Sequence, residues 1–429
     1  MLHRNNMDQH FYHAHEVIKE QCNASLKCIR FCPTQALRFR NEIIFLSDLC
    51  IDCGECIANC PQHVFKPIIS TVDDLKSFKY LIAIPSPILY AQFGLNIHPY
   101  IVNQALKQIG FNEVADISKT SDELGFALLH HLKTRPDIRP LISSFCPAIV
   151  RLIQVKYPNL VGLIEPIDVP REIVAKRTKQ IYSEKLKINP KEIGVFYITP
   201  CPAIFVSIKQ PAEKKSSWID GAIPIRDIYS LIFPIIQQLL DEKDKEYHDT
   251  FHFGKDWSVL NYISRSVGLE NCLTVTGVQN AKMVFDDIVS SKLRDIDFIE
   301  ALACKQGCVG GAFCMENPYI ARHNSIFLQK KYSGINPFDK EKVINNYNEG
   351  YYFLEHPVLP RPTRSFNPDI SISIRKMKQK MRISSKLPQK DCGLCGAPTC
   401  DEFAEDCVRG EAEPTDCAFF SDEFKKGRY

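Results

Sequence analysis

A surplus of either charge and long apolar runs are what this 429-residue chain lacks, and no export signal is expected of it. Its formal net charge is only +3, so there is no basic surplus to attract a nucleic acid, and no nucleic-acid partner is expected. No stretch reaches the roughly 18 uninterrupted apolar residues of a membrane span. The nearest, Ile228 to Leu240, carries Pro234 and two glutamines and reads as a packed helix, so no integral membrane segment is expected. The opening MLHRNNMDQHFYHAHEV has no apolar core of a secretory signal. That absence bears on the eighteen cysteines. Outside an oxidising compartment they do not read as a disulfide scaffold. In a reducing cytoplasm, where the protein is expected to reside, clustered cysteines mean metal.

An apolar content of 45% is ample for real cores, and the length suggests about two to four domains. Residues 1–72 are cysteine-rich and short on periodicity. From Phe78 onward, short apolar runs alternate with amphipathic stretches. YLIAIP, EVADIS, PLISSF, IGVFYITP, CLTVTG and DFIEALA read as buried strands, and PAIVRLIQVKY and AKMVFDDIVS as helices between them. Such alternation points to an α/β domain over 73–355, with parallel sheets flanked by helices. A proline-rich linker (HPVLPRPTRSFNPD) opens the segment 356–385. The basic, helical IRKMKQKMR within it reads as a solvated face first, with membrane or partner binding as the second reading. Residues 386–429 form a small cysteine-rich tail.

The N-terminal run LCIDCGECIANCP places Cys50, Cys53, Cys56 and Cys60 in C-x2-C-x2-C-x3-C-P spacing. Three such thiolates hold one iron–sulfur cluster and the fourth reaches across to a second. The partner run CNASLKCIRFCP supplies Cys22, Cys28 and Cys32 but has Ser25 in place of a cysteine. One cluster therefore has Cys50, Cys53, Cys56 and Cys32. The other has Cys22, Cys28, Cys60 and Ser25 as a possible weak ligand. Serine is a hard donor where iron–sulfur chemistry wants a soft one, so a 3Fe-4S cluster, a labile fourth iron, a serine-bound iron or loss of the cluster all stay open. His3, His10, His13 and His15 read as surface residues of this module.

In the tail, CGLCGAPTCDEFAEDCVRGEAEPTDC spaces Cys392, Cys395, Cys400 and Cys417 as C-x2-C-x4-C-x16-C. Zinc competes for four thiolates, but the tight first three and distant fourth resemble a small four-iron domain of some electron-transport and corrinoid proteins. Cys272, Cys314 and Cys407 lie off these motifs and read as buried small hydrophobes.

Cys146, Cys201 and Cys304 each stand just beyond an expected strand, where parallel α/β sheets bind ligands. Cys308 follows in ALACKQGCVGG. The segments SSFCP (143–147), TPCPAIFVS (199–207) and EALACKQGCVGG (300–311) resemble, in order, the three signatures of iron-only (di-iron) hydrogenases. The resemblance covers about 78 to 330. It implies two lobes around a buried cluster, a ferredoxin-like α+β module in front and a four-iron domain behind. It further implies that Cys146, Cys201, Cys304 and Cys308 hold a cubane, with Cys308 a possible bridge to a two-iron subcluster bearing carbon monoxide and cyanide. Up to four 4Fe-4S clusters are expected in all.

The departures are as informative. Phe145 occupies the position of the family's proton-relay cysteine, and Ile204 that of the lysine that anchors cyanide. Ser207 replaces a glutamate, Leu302 a methionine, and Ala127 aligns with a relay glutamate. Ser86 matches a cofactor-facing polar position. With cluster ligands kept and acid–base groups lost, the first expectation is electron transfer or hydrogen/redox sensing with little or no turnover. The alternatives are an active hydrogenase using another proton route and an iron–sulfur assembly scaffold. No PAS, kinase or phosphatase-like segment is evident, so a redox partner or a separate signalling output is expected.

Overall fold

Continuous apolar runs, rather than alternating ones, build the centre of the fold. The computed structural model describes residues 11–241, 257–268, 270–332, 338–361 and 364–420. IGVFYITP forms the strand Ile193–Thr199, with every residue buried. A strand covered on both faces belongs in a parallel sheet under helices. It pairs in parallel with Tyr80–Pro85 and with Gly221–Pro224, and Glu113–Val114 completes the four-stranded sheet beyond Tyr80–Pro85. A second, three-stranded parallel sheet runs Cys272–Thr276, Phe298–Leu302, Leu141–Ile142. Each of the six runs expected as a strand contains one. Gly221–Pro224 carries no strand signal, being four residues bounded by glycine and proline.

The helix Ile225–Asp241 buries Ile225, Ile228, Ile232, Ile236 and Leu239, spaced three or four apart, while Pro234 stands on its exposed side. Among the described residues no helix is long and apolar enough to cross a membrane.

The chain forms two compact units. Residues 51–54 and 68–360 make the one that holds both parallel sheets. The other joins 1–50 and 55–67 to 361–429, so the two cysteine-rich ends of the sequence share a unit. Its N-terminal part has two antiparallel pairs, His15–Val17 with Phe65–Pro67 and Leu37–Arg40 with Glu42–Phe45. Short helices Lys27–Phe31 and Glu55–Asn59 complete a ferredoxin-like α+β arrangement. His15 departs from the surface reading. It is buried, with its ring edge-on to Phe45 and Phe65, because its place in an inward-facing strand outweighs its polarity. His3 and His10 lie outside the described residues.

The C-terminal part packs the helices Ile370–Ser384 and Cys400–Arg409 around Ile383, Leu387, Phe403 and Ala404. It is fastened to the strand Leu37–Arg40 by charge. Arg38, 3% exposed, bonds Asp406 at 2.7 Å and Glu402 at 2.7 Å, and Arg40 reaches Asp406 at 3.0 Å. The Phe39 amide donates to the Gly396 carbonyl at 2.8 Å. Gly396 has φ +77°, and a Cβ there would lie 1.7 Å from the Phe39 oxygen, so only glycine allows this approach.

Removing one partner of a buried ion pair strands the other charge, at a cost of about 3–5 kcal/mol. Arg38→Ala should therefore destabilise this unit by about that much, read from denaturant unfolding and from earlier proteolytic release of residues 361–420. The exposed Lys19–Glu42 pair at 2.8 Å is the control: Lys19→Ala should cost under about 1 kcal/mol. Equal, small effects of both would show that the buried pairs do not hold the C-terminal part in place.

Candidate metal centres

Two Cys-Pro steps set the central site. Cys146 is the N-cap of the helix Pro147–Lys156 and Cys201 that of Pro202–Lys209. Proline suits the first helical position, and the helix start favours an anionic sulfur. Cys304 follows the strand Phe298–Leu302, and Cys308 opens the short turn Cys308–Gly310. The Cys308 amide donates to the Ser258 carbonyl at 2.9 Å. The glycine pair after Cys308 lets its loop close: a Cβ on Gly311 would fall 2.4 Å from the Pro200 oxygen, one residue before Cys201.

These four cysteines line one cavity together with Cys53. Burial pushes the Cys304 thiol well up, and nearby Cys201, Cys146, Cys308 and Cys53 push it further. Burial and Cys146 raise Cys201 to about 12, against the Ile204 and Ala203 amides and Arg171. Cys146 is raised by burial, against the amides of Ala303, Ile149 and Ala148. Four soft donors that repel one another once ionised, in an apolar cavity, fit a polycationic iron–sulfur core. Cys53 belongs by spacing to the N-terminal set, and its place in this wall was not foreseen.

The rest of the wall is apolar: Phe145, Ile204, Leu302, Ala203 and Ala303. Ser207 spends its hydroxyl on the Ile204 carbonyl at 2.7 Å. Ala127 is fully buried in the same core as Phe145. Ser86 does not line the cavity. It lies at the carboxyl end of the strand Tyr80–Pro85, fully buried, with its hydroxyl unbonded. The Trp257 indole N–H is a second buried donor without a partner among the described residues, and its ring lies 6.1 Å from that of Phe145.

Other neighbours left no sequence signal. Arg171 is buried, donates to the Phe145 carbonyl at 3.3 Å and lies over its ring. Glu165 accepts from Ser143 Oγ, Ser144 Oγ and the Ser144 amide at 2.9–3.2 Å, tying the segment before Cys146 in place. Cys314, expected as a small hydrophobe, donates to the Cys308 carbonyl at 3.4 Å. Its thiol is raised to about 12 by burial and by Cys201. These contacts join residues far apart in sequence, so spacing could not reveal them.

In the other unit, burial raises Cys28 to about 11, with Cys60 and then Cys22 adding to it, which places three cysteines of the incomplete set together. Ser25 is exposed, and both Ala24 (φ 56°) and Leu26 (φ 57°) are left-handed, a costly conformation for such residues. Cys32 accepts from the Ala36 amide at 3.1 Å. Burial raises Cys395, with Cys417 and Cys392 adding to it, and Cys400 shares their core. Cys272 and Cys407 are half-buried.

Three stretches of the chain match known families. The family described as "Iron only hydrogenase large subunit, C-terminal domain" matches residues 79–266 and 235–312. A 4Fe-4S dicluster domain matches 15–61 and an Fe–S cluster family matches 387–419. The NADP-reducing hydrogenase subunit HndD of Solidesulfovibrio fructosivorans is 22% identical over 377 residues, covering 73% of this chain and 63% of that protein. Iron hydrogenase 1 of Clostridium pasteurianum is 24% identical over 264 residues, covering 51% and 46%. The chain thus spans less than two thirds of each relative's length. A solved FeFe-hydrogenase from Chlamydomonas reinhardtii shares the fold, with a TM-score of 0.51 at 15% identity over 68% of this chain and 97% of that one.

Glu165 should make this unit's stability pH-dependent. Burial lifts its carboxyl from an ordinary 4.5 to about 7, against the serine hydrogen bonds. Between those values the folded chain keeps a proton that the unfolded chain has lost, so stability falls as pH rises through the window, by roughly 3 kcal/mol in all. Urea unfolding of this unit should be easier at pH 8 than at pH 5, and Glu165→Gln should flatten the difference. An unchanged slope in the variant would show that Glu165 does not carry it.

Proposed function

Because the chain belongs to the iron-only hydrogenase large-subunit family, we propose that it is an iron–sulfur redox protein that transfers electrons or senses hydrogen or redox state, with little or no hydrogen turnover. One observation carries the reading: four cysteines converge on a cavity whose remaining wall, at Phe145 and Ile204, holds neither an acid nor a cation. A cubane bound there would supply one-electron redox chemistry. Cys146, Cys201, Cys304 and Cys308 would hold it, and Phe145, Ile204 and Leu302 would keep water from it. Hydrogen chemistry needs a proton donor within hydrogen-bond reach, and the phenyl ring at 145 cannot be one.

The other cysteine sets support electron traffic. Cys53 is both a member of the N-terminal C-x2-C-x2-C run and part of the central cavity wall. At the far end, Arg30 donates to the Cys392 carbonyl and Arg40 to that of Cys395, both at 2.6 Å. Arg30 lies on the helix that carries Cys28, so the C-terminal set sits beside the Cys22–Cys28–Cys60 set.

A second reading, a working hydrogenase with a different proton route, is favoured by the unbonded Ser86 hydroxyl and Trp257 indole. Cys308 would then help hold a two-iron subcluster, and the Trp257 indole, whose ring lies beside Phe145, could donate to an anionic ligand of it. Ser144 and Glu165, next to Phe145, would then be the proton path.

Infrared spectra and hydrogen assays of protein matured with hydrogenase assembly factors separate the two. Wild type should evolve hydrogen about 10²–10⁴ more slowly than an enzyme that keeps the acid, or not at all. Phe145→Cys with Ile204→Lys should raise the rate wherever metal-bound carbon monoxide and cyanide bands appear. Strong bands with fast wild-type turnover would establish the second reading instead.

The Ser25 site makes its own prediction. An exposed serine oxygen is a poor iron ligand, so this cluster should lose iron first under mild oxidation and show a three-iron paramagnetic signal. Ser25→Cys should add iron and convert the signal to a four-iron one. No signal in wild type and no added iron in the variant would exclude a cluster on Cys22, Cys28 and Cys60.

A further inference from the structure

The helix Ile370–Ser384 has two working faces, and the protein uses one. Asp369 caps its start, accepting from the Ser371 and Ile372 amides. On the inner face Ile383 is buried, and Lys380 pairs with Asp401 at 2.8 Å and Glu405 at 3.0 Å. On the outer face Ile370, Ile374, Met377 and Met381 are 76%, 51%, 48% and 65% exposed. Their spacing of four, three and four residues puts them in one narrow seam, the pattern by which one helix receives another. Arg375, Lys378 and Arg382 border the seam, exposed and without ion pairs among the described residues. The helix contains five Lys and Arg residues and no acid.

We infer that this seam docks an acidic amphipathic helix of a partner protein. Four exposed apolar side chains in a line mark an interaction surface rather than a solvated face, and methionine adapts well to a partner's shape. Charge selects the occupant. A second copy of the same helix would bring Arg375, Lys378 and Arg382 against their own kind, and like charges across a seam oppose pairing. Glutamates and aspartates flanking a partner's apolar seam would meet three cations that form no ion pair among the described residues. A lipid surface fits less well, because helices that lie in membranes use a broad apolar face rich in Trp, Phe or Leu. This seam is one residue wide and has none of them. The inner face packs on the helix Cys400–Arg409, so the partner would sit beside the C-terminal cysteine set. That it is a redox or signalling partner rests on the function proposed above; the docking does not.

The test places a benzophenone amino acid at Met377 of the full-length holoprotein in its native cells, with the same probe at exposed Met283 as control. After irradiation the cross-linked segment is mapped by mass spectrometry, and that segment, as a synthetic peptide, is titrated against the holoprotein. The expected cross-link from position 377, absent from 283, falls in a net-acidic segment with apolar residues at alternating three- and four-residue spacing. Its affinity should drop about tenfold or more in Ile374→Asp and in Met377→Asp and weaken with salt, with iron content and paramagnetic spectra unchanged. Cross-links to the same helix of a second copy, to lipid, to a segment of other chemistry or to nothing would overturn the assignment. So would peptide binding that ignores both variants. Because the spectra are read separately, failure of docking and failure of the redox reading are distinguishable.

Discussion

Four thiolates cannot share a buried apolar cavity unless a cation core stands between them. That constraint organises the larger unit. The strands Leu141–Ile142, Ile193–Thr199 and Phe298–Leu302 lead into the cavity, two Cys-Pro steps start helices at its wall, and a glycine pair closes the Cys308 loop over Pro200. Burial raises the Cys304, Cys201 and Cys146 thiols, and neighbouring cysteines raise Cys304 and Cys201 further, so the cavity by itself favours neutral thiols. Metal ligands must be deprotonated, and binding of a cluster is therefore coupled to proton release and to the stability of the site.

The rest of the cavity wall is apolar. Phe145 and Ile204 bring neither acid nor cation to it, and the neighbouring polar groups do structural work. Glu165 holds the two serines before Phe145, and Arg171 holds the Phe145 carbonyl. On the proposed reading, holding a cluster needs every cysteine, whereas hydrogen turnover would fail with the loss of one or two side chains. A site of this kind can still store and pass an electron. The Arg38, Glu402 and Asp406 network does comparable work in the other unit, where it joins the two ends of the chain so that their cysteine sets lie side by side.

Much of this was legible in the sequence. The six apolar runs became strands because burial on both faces demands unbroken hydrophobicity, and the cysteine motifs were readable because iron fixes ligand spacing. Gly221–Pro224 was missed since a four-residue strand between glycine and proline has no pattern. His15 was misread because burial of a polar ring depends on Phe45 and Phe65, both distant in sequence. Cys53 in the central wall, Cys314 at the Cys308 carbonyl, and Arg171 and Glu165 behind the cavity are products of tertiary convergence. The outer seam of Ile370–Ser384 lay hidden in a basic stretch until exposure separated its two faces.

The central claim is that the protein moves electrons at the cysteine cavity without moving protons to hydrogen. Film voltammetry of fully matured holoprotein, under argon and then under hydrogen, tests it most directly. The account predicts reversible one-electron waves whose size is set by the protein on the electrode, with no catalytic current in either gas. A sustained proton-reduction or hydrogen-oxidation current from the wild-type protein would contradict it.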